Sequence, residues 1–166
     1  AMAHQESANM SKRVKFGKDI TAQKGRVPNL VFGYDKIPDE RYTLKINEEE
    51  AKIVKEIFES YVYKGIGTTK IAWQLNDRGI RTKKTKSKWV QTSIVRMLKN
   101  PIYTGRVTNK KSEVTDFITG TRKDLPEEEW VVVERPEMRI ISDELFDRAQ
   151  ALLEQRSNEF KLNNKR

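Results

Sequence analysis

The chain has no cysteine and a single histidine, and these two shortages exclude several kinds of chemistry. Without cysteine there is no disulfide, no thiol nucleophile and no thiolate ligand for a metal. The histidine, His4, lies in the sequence AMAHQ, whose first three residues resemble the remnant of an expression vector. We therefore expect His4 to be inert, and a metal site built from histidine and cysteine is excluded.

Long apolar runs are also missing. No stretch approaches the roughly 18 apolar residues that a membrane helix needs, and no secretory signal is present. Hydrophobic residues make up 36% of the chain and charged residues 34%, yet 166 residues suffice to bury a core. The net charge of +9 indicates an anionic partner, with nucleic acid as the first expectation and an acidic membrane as the second.

One long stretch lacks acidic residues altogether. Residues 79–112 contain ten lysines and arginines and neither aspartate nor glutamate. Within them, residues 92–100 have the pattern of an amphipathic helix, with Ile94 and Leu98 on one face and Arg96 on another. A basic helix that begins with short polar residues suits the readable edges of duplex DNA.

Two helices are predicted before this stretch. The first covers about residues 47–64, with Asn47 as its N-cap and Glu50 in the capping-box position. The second begins at Thr68 or Thr69 and ends near Asn76. Together with the basic helix they outline a helix-turn-helix-like unit, although the connection to the third helix is longer than a standard turn.

The pattern changes after Pro101, where short runs rich in Val, Ile, Thr and Tyr predict three antiparallel strands at residues 103–109, 113–119 and 129–134. A last helix should begin at Ser142, which is a suitable cap. The predicted fold class is α+β: a helix-turn-helix-like three-helix unit, then a small three-stranded antiparallel sheet and a C-terminal helix.

Residues 24–40 have the composition of a linker, with two glycines and two prolines. Two interpretations are open. The segment is either a solvated linker or an extended arm that places Lys24 and Arg26 in the minor groove of DNA, where the negative potential attracts arginine.

No catalytic constellation is evident. The serines have no histidine to activate them beyond His4, and there is no glycine-rich phosphate loop. The pattern is that of a binding module. A transcriptional regulator with the same helical unit, or a small nucleic-acid-processing enzyme whose carboxylates bind Mg²⁺, are the alternatives.

Five segments, in this order, resemble the recombinase domain of large serine recombinases, the integrases and resolvases of phages and conjugative transposons. The segments are FGYDK at 32–36, INEEEAKIVKEIFESYVYKG at 46–65, IAWQLNDRGIRT at 71–82, KWVQTSIVRMLKNPIYTG at 88–105 and RIISDELFDRAQALL at 139–153. The resemblance spans roughly residues 12–157. The combination of LN-x-x-GI, the tryptophan-led helix and NP-x-Y-x-G is specific, whereas each motif alone is weak.

In that family a separate N-terminal domain carries the nucleophilic serine, a long helix links it to the recombinase domain, and a zinc ribbon usually follows. The resemblance implies a DNA-recognition fragment without catalytic residues or cofactor. Residues 1–24 would be the vector remnant and the end of the linking helix, 25–40 an arm, 41–158 the DNA-binding domain and 159–166 a frayed tail. We expect a monomer when free, a dimer or tetramer for the whole protein, and the bacterial cytoplasm, at the nucleoid, as its location.

The resemblance also implies that residues 24–34 lie along the minor groove and residues 89–100 enter the major groove. We expect Trp89 to anchor the core and not to stack on a base. The expected DNA contacts are Lys24, Arg26 and Tyr34 in the arm, Gln91, Thr92, Ser93 and Arg96 at base edges, and Lys83, Lys84, Lys86, Lys88 and Lys99 at the backbone. Arg106 is a further expected DNA contact.

Overall fold

A computed structural model of the chain describes residues 24–28, 30–109, 112–114 and 118–165. The vector remnant and the end of the linking helix, expected at residues 1–24, fall almost wholly outside these ranges. The described residues form both helices and strands, as predicted. The α-helices are α1 (Glu48–Val62), α2 (Thr68–Asp77), α3 (Gln91–Leu98) and α4 (Asp143–Asn163). In the described part of the chain, no helix is both long and apolar enough to cross a membrane.

The strands are short and pair in twos. The strands are β1 (Tyr34–Lys36), β2 (Leu44–Ile46), β3 (Arg106–Asn109), β4 (Ser112–Val114), β5 (Arg122–Asp124) and β6 (Val131–Glu134). Antiparallel ladders join β1 to β2, β3 to β6 and β4 to β5. The expected three-stranded sheet is therefore wrong for the described residues. The strand expected at residues 113–119 overlaps β4, which in the described residues pairs with the exposed, charged strand β5 and not with β3 or β6.

The chain around Pro101 also differs from the prediction. Residues Pro101–Thr104 form a 3₁₀ helix, and Asn100 caps it by accepting a hydrogen bond from the Ile102 N–H at 3.2 Å. Gly105, with φ of +83°, turns the chain into β3. The first strand of this region consequently begins at Arg106, three residues later than expected. Two further 3₁₀ helices lie on either side of β6, Glu127–Glu129 before it and Pro136–Met138 after it.

Helix α1 forms because an apolar stripe of its residues is buried in the core, among them Val54, Ile57 and Phe58. The predicted cap is confirmed, since Asn47 Oδ1 accepts a hydrogen bond from the Glu50 N–H at 3.1 Å. The second bond of a capping box, from the Asn47 N–H to the Glu50 carboxylate, is not formed. Instead, the Asn47 N–H donates to the Gly33 carbonyl at 2.9 Å, and the Glu50 carboxylate accepts from the Gly33 N–H at 3.0 Å.

Residues Phe32–Asp35, here called the FGYD segment, run through the centre of the fold. The Tyr34 hydroxyl lies 2.9 Å from the Ile102 carbonyl and 2.7 Å from the Met138 carbonyl, and these two acceptors share its one proton. The Tyr103 hydroxyl donates to the Phe32 carbonyl at 2.8 Å, and the rings of Tyr34 and Tyr103 stack at 5.8 Å. Burial raises the pKa of both tyrosines, so both stay protonated donors. This segment is packed core, so this part of residues 24–40 is not a solvated linker.

Helix α4 begins as predicted, because Ser142 Oγ accepts a hydrogen bond from the Leu145 N–H at 3.2 Å. Leu145, Phe146 and Ala149 pack into the core. The helix continues to Asn163, so most of the tail expected to fray at residues 159–166 is helical. An i,i+4 hydrogen bond at 3.1 Å from Gln155 to Glu159 supports this exposed extension, which contains no glycine or proline.

The position of Tyr34 gives a prediction about stability. Tyr34→Phe keeps the ring and removes a hydroxyl that bonds two buried carbonyls, so the free energy of unfolding should fall by about 1–3 kcal/mol. Urea unfolding measures this loss, with an unchanged dependence on denaturant concentration. Tyr63→Phe is the matched control, because Tyr63 is 60% exposed, and it should change nothing. Equal losses for the two variants would contradict the assignment.

Candidate nucleic-acid interface

Helix α3 has two opposite faces. Ile94, Met97 and Leu98 are buried in the core, whereas Gln91, Thr92 and Arg96 are exposed and Ser93 is half-buried. Lys99, just beyond the last turn, is also exposed. The predicted base-reading residues therefore share the outer side of a short helix whose inner side fixes its position.

The start of α3 differs electrostatically from the starts of α1 and α4. Asn47 and Ser142 cap those two helices, and both have acidic residues in their first turn. No side chain caps α3 at Val90, and its first turn has no acidic residue. The positive end of the α3 dipole is thus left uncompensated by the protein.

Two amide side chains hold the ends of α3. At the entrance, Asn76 accepts a hydrogen bond from the Trp89 N–H at 2.7 Å and donates to the Trp89 carbonyl at 2.8 Å. At the exit, Gln150 of α4 donates to the Leu98 carbonyl at 2.6 Å. Sequence reasoning assigned neither residue this role, although the Leu75-Asn76 pair within LN-x-x-GI was a signal. The helix is fixed along its axis as well as on its inner face.

Trp89 is a core residue, as expected. It is 5% exposed, and its ring meets the Phe32 ring edge-on at 5.0 Å. Because Phe32 belongs to the FGYD segment, this contact joins the entrance of α3 to the central segment of the fold.

The basic loop before α3, residues 82–87, closes on itself. The Thr82 N–H donates to the Ser87 carbonyl at 3.0 Å, and the Ser87 N–H donates to Thr82 Oγ1 at 3.1 Å. The Thr85 hydroxyl also bonds Thr82 Oγ1, at 3.1 Å. Lys84, Lys86 and Lys88 are exposed around this closed turn. The hydroxyls satisfy one another inside the loop and leave the ammonium groups outside.

Lys83 departs from its predicted role as a phosphate ligand. Its side chain is only 16% exposed, and its ammonium lies 2.8 Å from Glu50 Oε1 and 2.9 Å from Asp35 Oδ1. It also donates to the Tyr34 carbonyl. We correct the assignment: Lys83 fastens the basic loop to α1 and to the FGYD segment, and its charge is already paired.

Titration of this ion-pair cluster follows from its geometry. Partial burial by itself would lower the pKa of Lys83, but hydrogen bonds to Glu50 and Asp35, with their charges, raise it above its ordinary value. The hydrogen bond from Lys83 is the largest effect on Asp35, and it lowers the pKa of that carboxyl; Asn47 and Lys45 act in the same direction. Both shifts favour the charged pair.

The described end of the arm is docked on the body. The Val27 N–H donates to the Arg41 carbonyl at 2.9 Å, and Arg135 donates to the Lys24 carbonyl at 2.7 Å. Gly25, with φ of +74°, lies so close to Val133 that an added Cβ would be 2.7 Å from the valine Cβ. The side chains of Lys24 and Arg26 remain exposed.

Two other predicted contacts have changed status. Tyr34 is 1% exposed, so its side chain belongs to the core and we withdraw it as a DNA contact. Arg106 lies 2.9 Å from Asp143 Oδ1 and is 34% exposed, so its charge is shared with the first turn of α4. Its contact with DNA stays a prediction. In the ranges described, no group of three or more His, Asp or Glu residues is arranged to hold a metal.

Comparison with known proteins identifies a matching family model and a similar curated protein. The family model described as Recombinase matches residues 48–156. A protein of Bacillus subtilis (strain 168), named "Putative DNA recombinase", is 31% identical over 168 residues, which cover 93% of this chain and 33% of that protein. The chain therefore spans about a third of the length of that curated relative.

Two solved structures share the fold. One, described as "Crystal Structure of a LSR-DNA Complex", has a TM-score of 0.58 and is 24% identical in sequence. The match covers 86% of this chain and 38% of that chain. The other, described as "Sequence Requirements of the Listeria innocua prophage attP site", has a TM-score of 0.57 and is 24% identical in sequence. The match covers 86% of this chain and 51% of that chain.

The two neighbouring lysines of the basic loop should respond differently to substitution. Lys83→Met leaves two carboxylates without their cation, so the free energy of unfolding should fall by about 1–2 kcal/mol at neutral pH. Lys84→Met, the matched control, should leave it unchanged. Urea unfolding between pH 3 and pH 8 tests both.

The pH dependence has a definite sign. Because the folded-state pKa of Asp35 is lowered, its contribution is present above the unfolded pKa of about 4 and is lost as pH falls through the folded value. The difference between the wild type and Lys83→Met should therefore shrink in acid. A difference that stays constant down to pH 3 would contradict the ion-pair assignment.

Proposed function

This chain belongs to the Recombinase family, and on that premise we propose that it binds one half of a DNA attachment site for a serine site-specific recombinase. The family model confirms the resemblance drawn from the motifs. The name of the Bacillus relative and the descriptions of the two structures, which mention a DNA complex and an attP site, support DNA as the partner.

The observation that carries the proposal is the outer side of α3. It combines exposed Gln91, Thr92 and Arg96 with an inner face that is buried and with two fixed ends. The surrounding sequence, residues 79–112, has ten basic residues and no acidic one. A rigid helix of this kind fits the major groove, which is wide enough to admit it.

We assign the side chains to two kinds of contact. Arg96 can bond guanine through two N–H groups, and Gln91 can bond adenine through its amide, while Thr92 and Ser93 lie beside them. Four exposed lysines would hold phosphates, which set the register of the protein without reading sequence: Lys84, Lys86, Lys88 and Lys99. Lys24 and Arg26 would extend along the minor groove from the docked end of the arm.

The same proposal covers the organisation of the chain. Residues 41–158 would act as the DNA-binding domain, with α1, α2 and α3 as its helix-turn-helix-like unit. Residues 25–40 would supply its arm, which ends where the packed FGYD segment begins. The nucleophilic serine would reside elsewhere in a longer parent protein, so this chain would bind DNA without cutting it. It would bind as a monomer, at the bacterial nucleoid.

Selection of bound duplexes from a random pool tests the proposal. A protein that contacts two grooves should enrich an asymmetric motif of about a dozen base pairs or more. With six to eight phosphates neutralised, log K should fall with log salt at a slope of about −5 to −7. A palindromic motif would favour a dimeric regulator, nicking in Mg²⁺ would favour an enzyme, and a flat salt response would contradict groove binding.

Two single substitutions separate base contacts from phosphate contacts. Arg96→Ala should cost about 1–3 kcal/mol and relax the preference at one base position. Lys84→Ala should weaken binding to all sequences about equally and lower the salt slope by about 1. Binding to a panel of single-base variants of the selected site provides the measurement. Identical profiles for the two variants would refute the division of roles.

A further inference from the structure

A concave surface beside the arm contains, apart from Arg26, no residue that has been assigned a DNA contact so far. It has a volume of about 380 Å³ and is lined by Arg26, Val27, Pro28, Lys36, Glu40 and Arg41. We call it the arm pocket. Lys36 and Arg41 come from the hairpin of β1 and β2, and neither of them was among the DNA contacts expected from the sequence.

Backbone hydrogen bonds fix the walls of the arm pocket. The Val27 N–H donates to the Arg41 carbonyl at 2.9 Å, so the arm and the hairpin are joined across it. The hairpin turns at Pro38-Asp39, where Asp39 has φ of +62° and the Glu40 N–H donates to the Ile37 carbonyl at 3.2 Å. Proline followed by a residue of positive φ is the arrangement of a type II turn. The pocket is part of the fold and not a gap between loose loops.

The charge of the arm pocket is strongly positive. The side chains of Arg26, Lys36 and Arg41 are exposed, and none of them forms an ion pair with another described residue. The single carboxylate, Glu40, is held in its own turn, because its Oε1 accepts hydrogen bonds from the N–H groups of Arg41 and Tyr42, both at 2.9 Å. Three cations thus face one carboxylate that is already occupied by backbone donors.

We propose that the arm pocket binds one phosphate of the DNA backbone beside the groove that the arm enters, through Arg26, Lys36 and Arg41. This inference rests on the proposed function and adds a phosphate contact to it. The chemistry of the lining selects a phosphodiester over a base, because no aromatic ring lines the pocket to stack on one. Two guanidinium groups and an ammonium match the geometry and charge of phosphate oxygens.

The arm pocket is also tied to the basic loop. Lys36 follows Asp35 in β1, and Asp35 is paired with Lys83. The hairpin that carries Lys36 and the loop that carries Lys84 are therefore joined by an ion pair. Two phosphate-binding surfaces at a fixed spacing would set the register of the protein on the duplex.

Neutral substitutions test the arm pocket. Arg41→Gln and Lys36→Gln should each lower the salt slope by about 1 and weaken binding about five- to tenfold in 0.1 M salt, with no change in sequence preference. Lys161→Gln removes the same charge from the far part of α4 and is the matched control. Affinities of both pocket variants equal to that of the control would overturn the proposal.

A substitution of opposite sign strengthens the test. Glu40→Gln keeps an oxygen acceptor for the turn and removes the only negative charge of the pocket, so binding should tighten about two- to fivefold in 0.1 M salt. Glu154→Gln on α4 is its control and should have no effect. Unchanged or weaker binding by Glu40→Gln would contradict the proposal.

Neutral methylphosphonates placed one at a time along the selected site locate the contact. At one position the methylphosphonate should lower the affinity of the wild type and leave the affinity of Arg41→Gln unchanged. At the other contacted positions it should lower the affinity of both proteins. If Lys84→Ala weakens binding but Arg41→Gln binds like the wild type at every methylphosphonate position, the arm-pocket proposal is contradicted and the proposed function stands. If the wild type binds no duplex, the proposed function fails first.

Discussion

The fold depends on hydrogen bonds and ring contacts of four consecutive residues, Phe32–Asp35. Backbone and side-chain atoms of this FGYD segment bond the N-terminus of α1, through Asn47 and Glu50, and the basic loop, through Lys83. They also bond the 3₁₀ helices Pro101–Thr104 and Pro136–Met138, and Phe32 packs on the tryptophan that precedes α3. Buried polar groups must find partners, so one segment with so many of them fixes the relative position of everything it touches.

That constraint has a functional consequence. The outer side of α3 is useful for recognition only if the helix cannot rotate or slide, and its ends are held by Asn76 and Gln150 while Trp89 packs on the FGYD segment. The same segment is bonded to the basic loop and leads into the hairpin of the arm pocket. Base contacts and backbone contacts are thereby presented by one connected framework, as preorganised recognition requires.

The sequence predicts the parts of this framework that depend on local patterns. Apolar periodicity and capping residues located α1, α3 and the start of α4, and the exposed side of α3 follows from the same periodicity. Contacts distant in sequence were not predictable. Lys83 and Lys84 are neighbours in one basic run, yet Lys83 alone meets carboxylates, which lie 33 and 48 residues away. Tyr34 likewise has its hydrogen-bond partners 68 and 104 residues away. Its local sequence shows only glycines and prolines, which suggest a linker, and not the distant carbonyls that hold it in the core.

The absence of cysteine allows a direct test of the central claim, that the outer side of α3 lies against the bases. Gln91→Cys provides one attachment site for an iron chelate that cleaves nearby DNA, and Glu154→Cys places the same reagent on the exposed side of α4. The account predicts that the label at position 91 cuts the selected duplex in one cluster about a helical turn wide, and that the label at position 154 leaves it intact. Cleavage from position 154 with none from position 91 would contradict it.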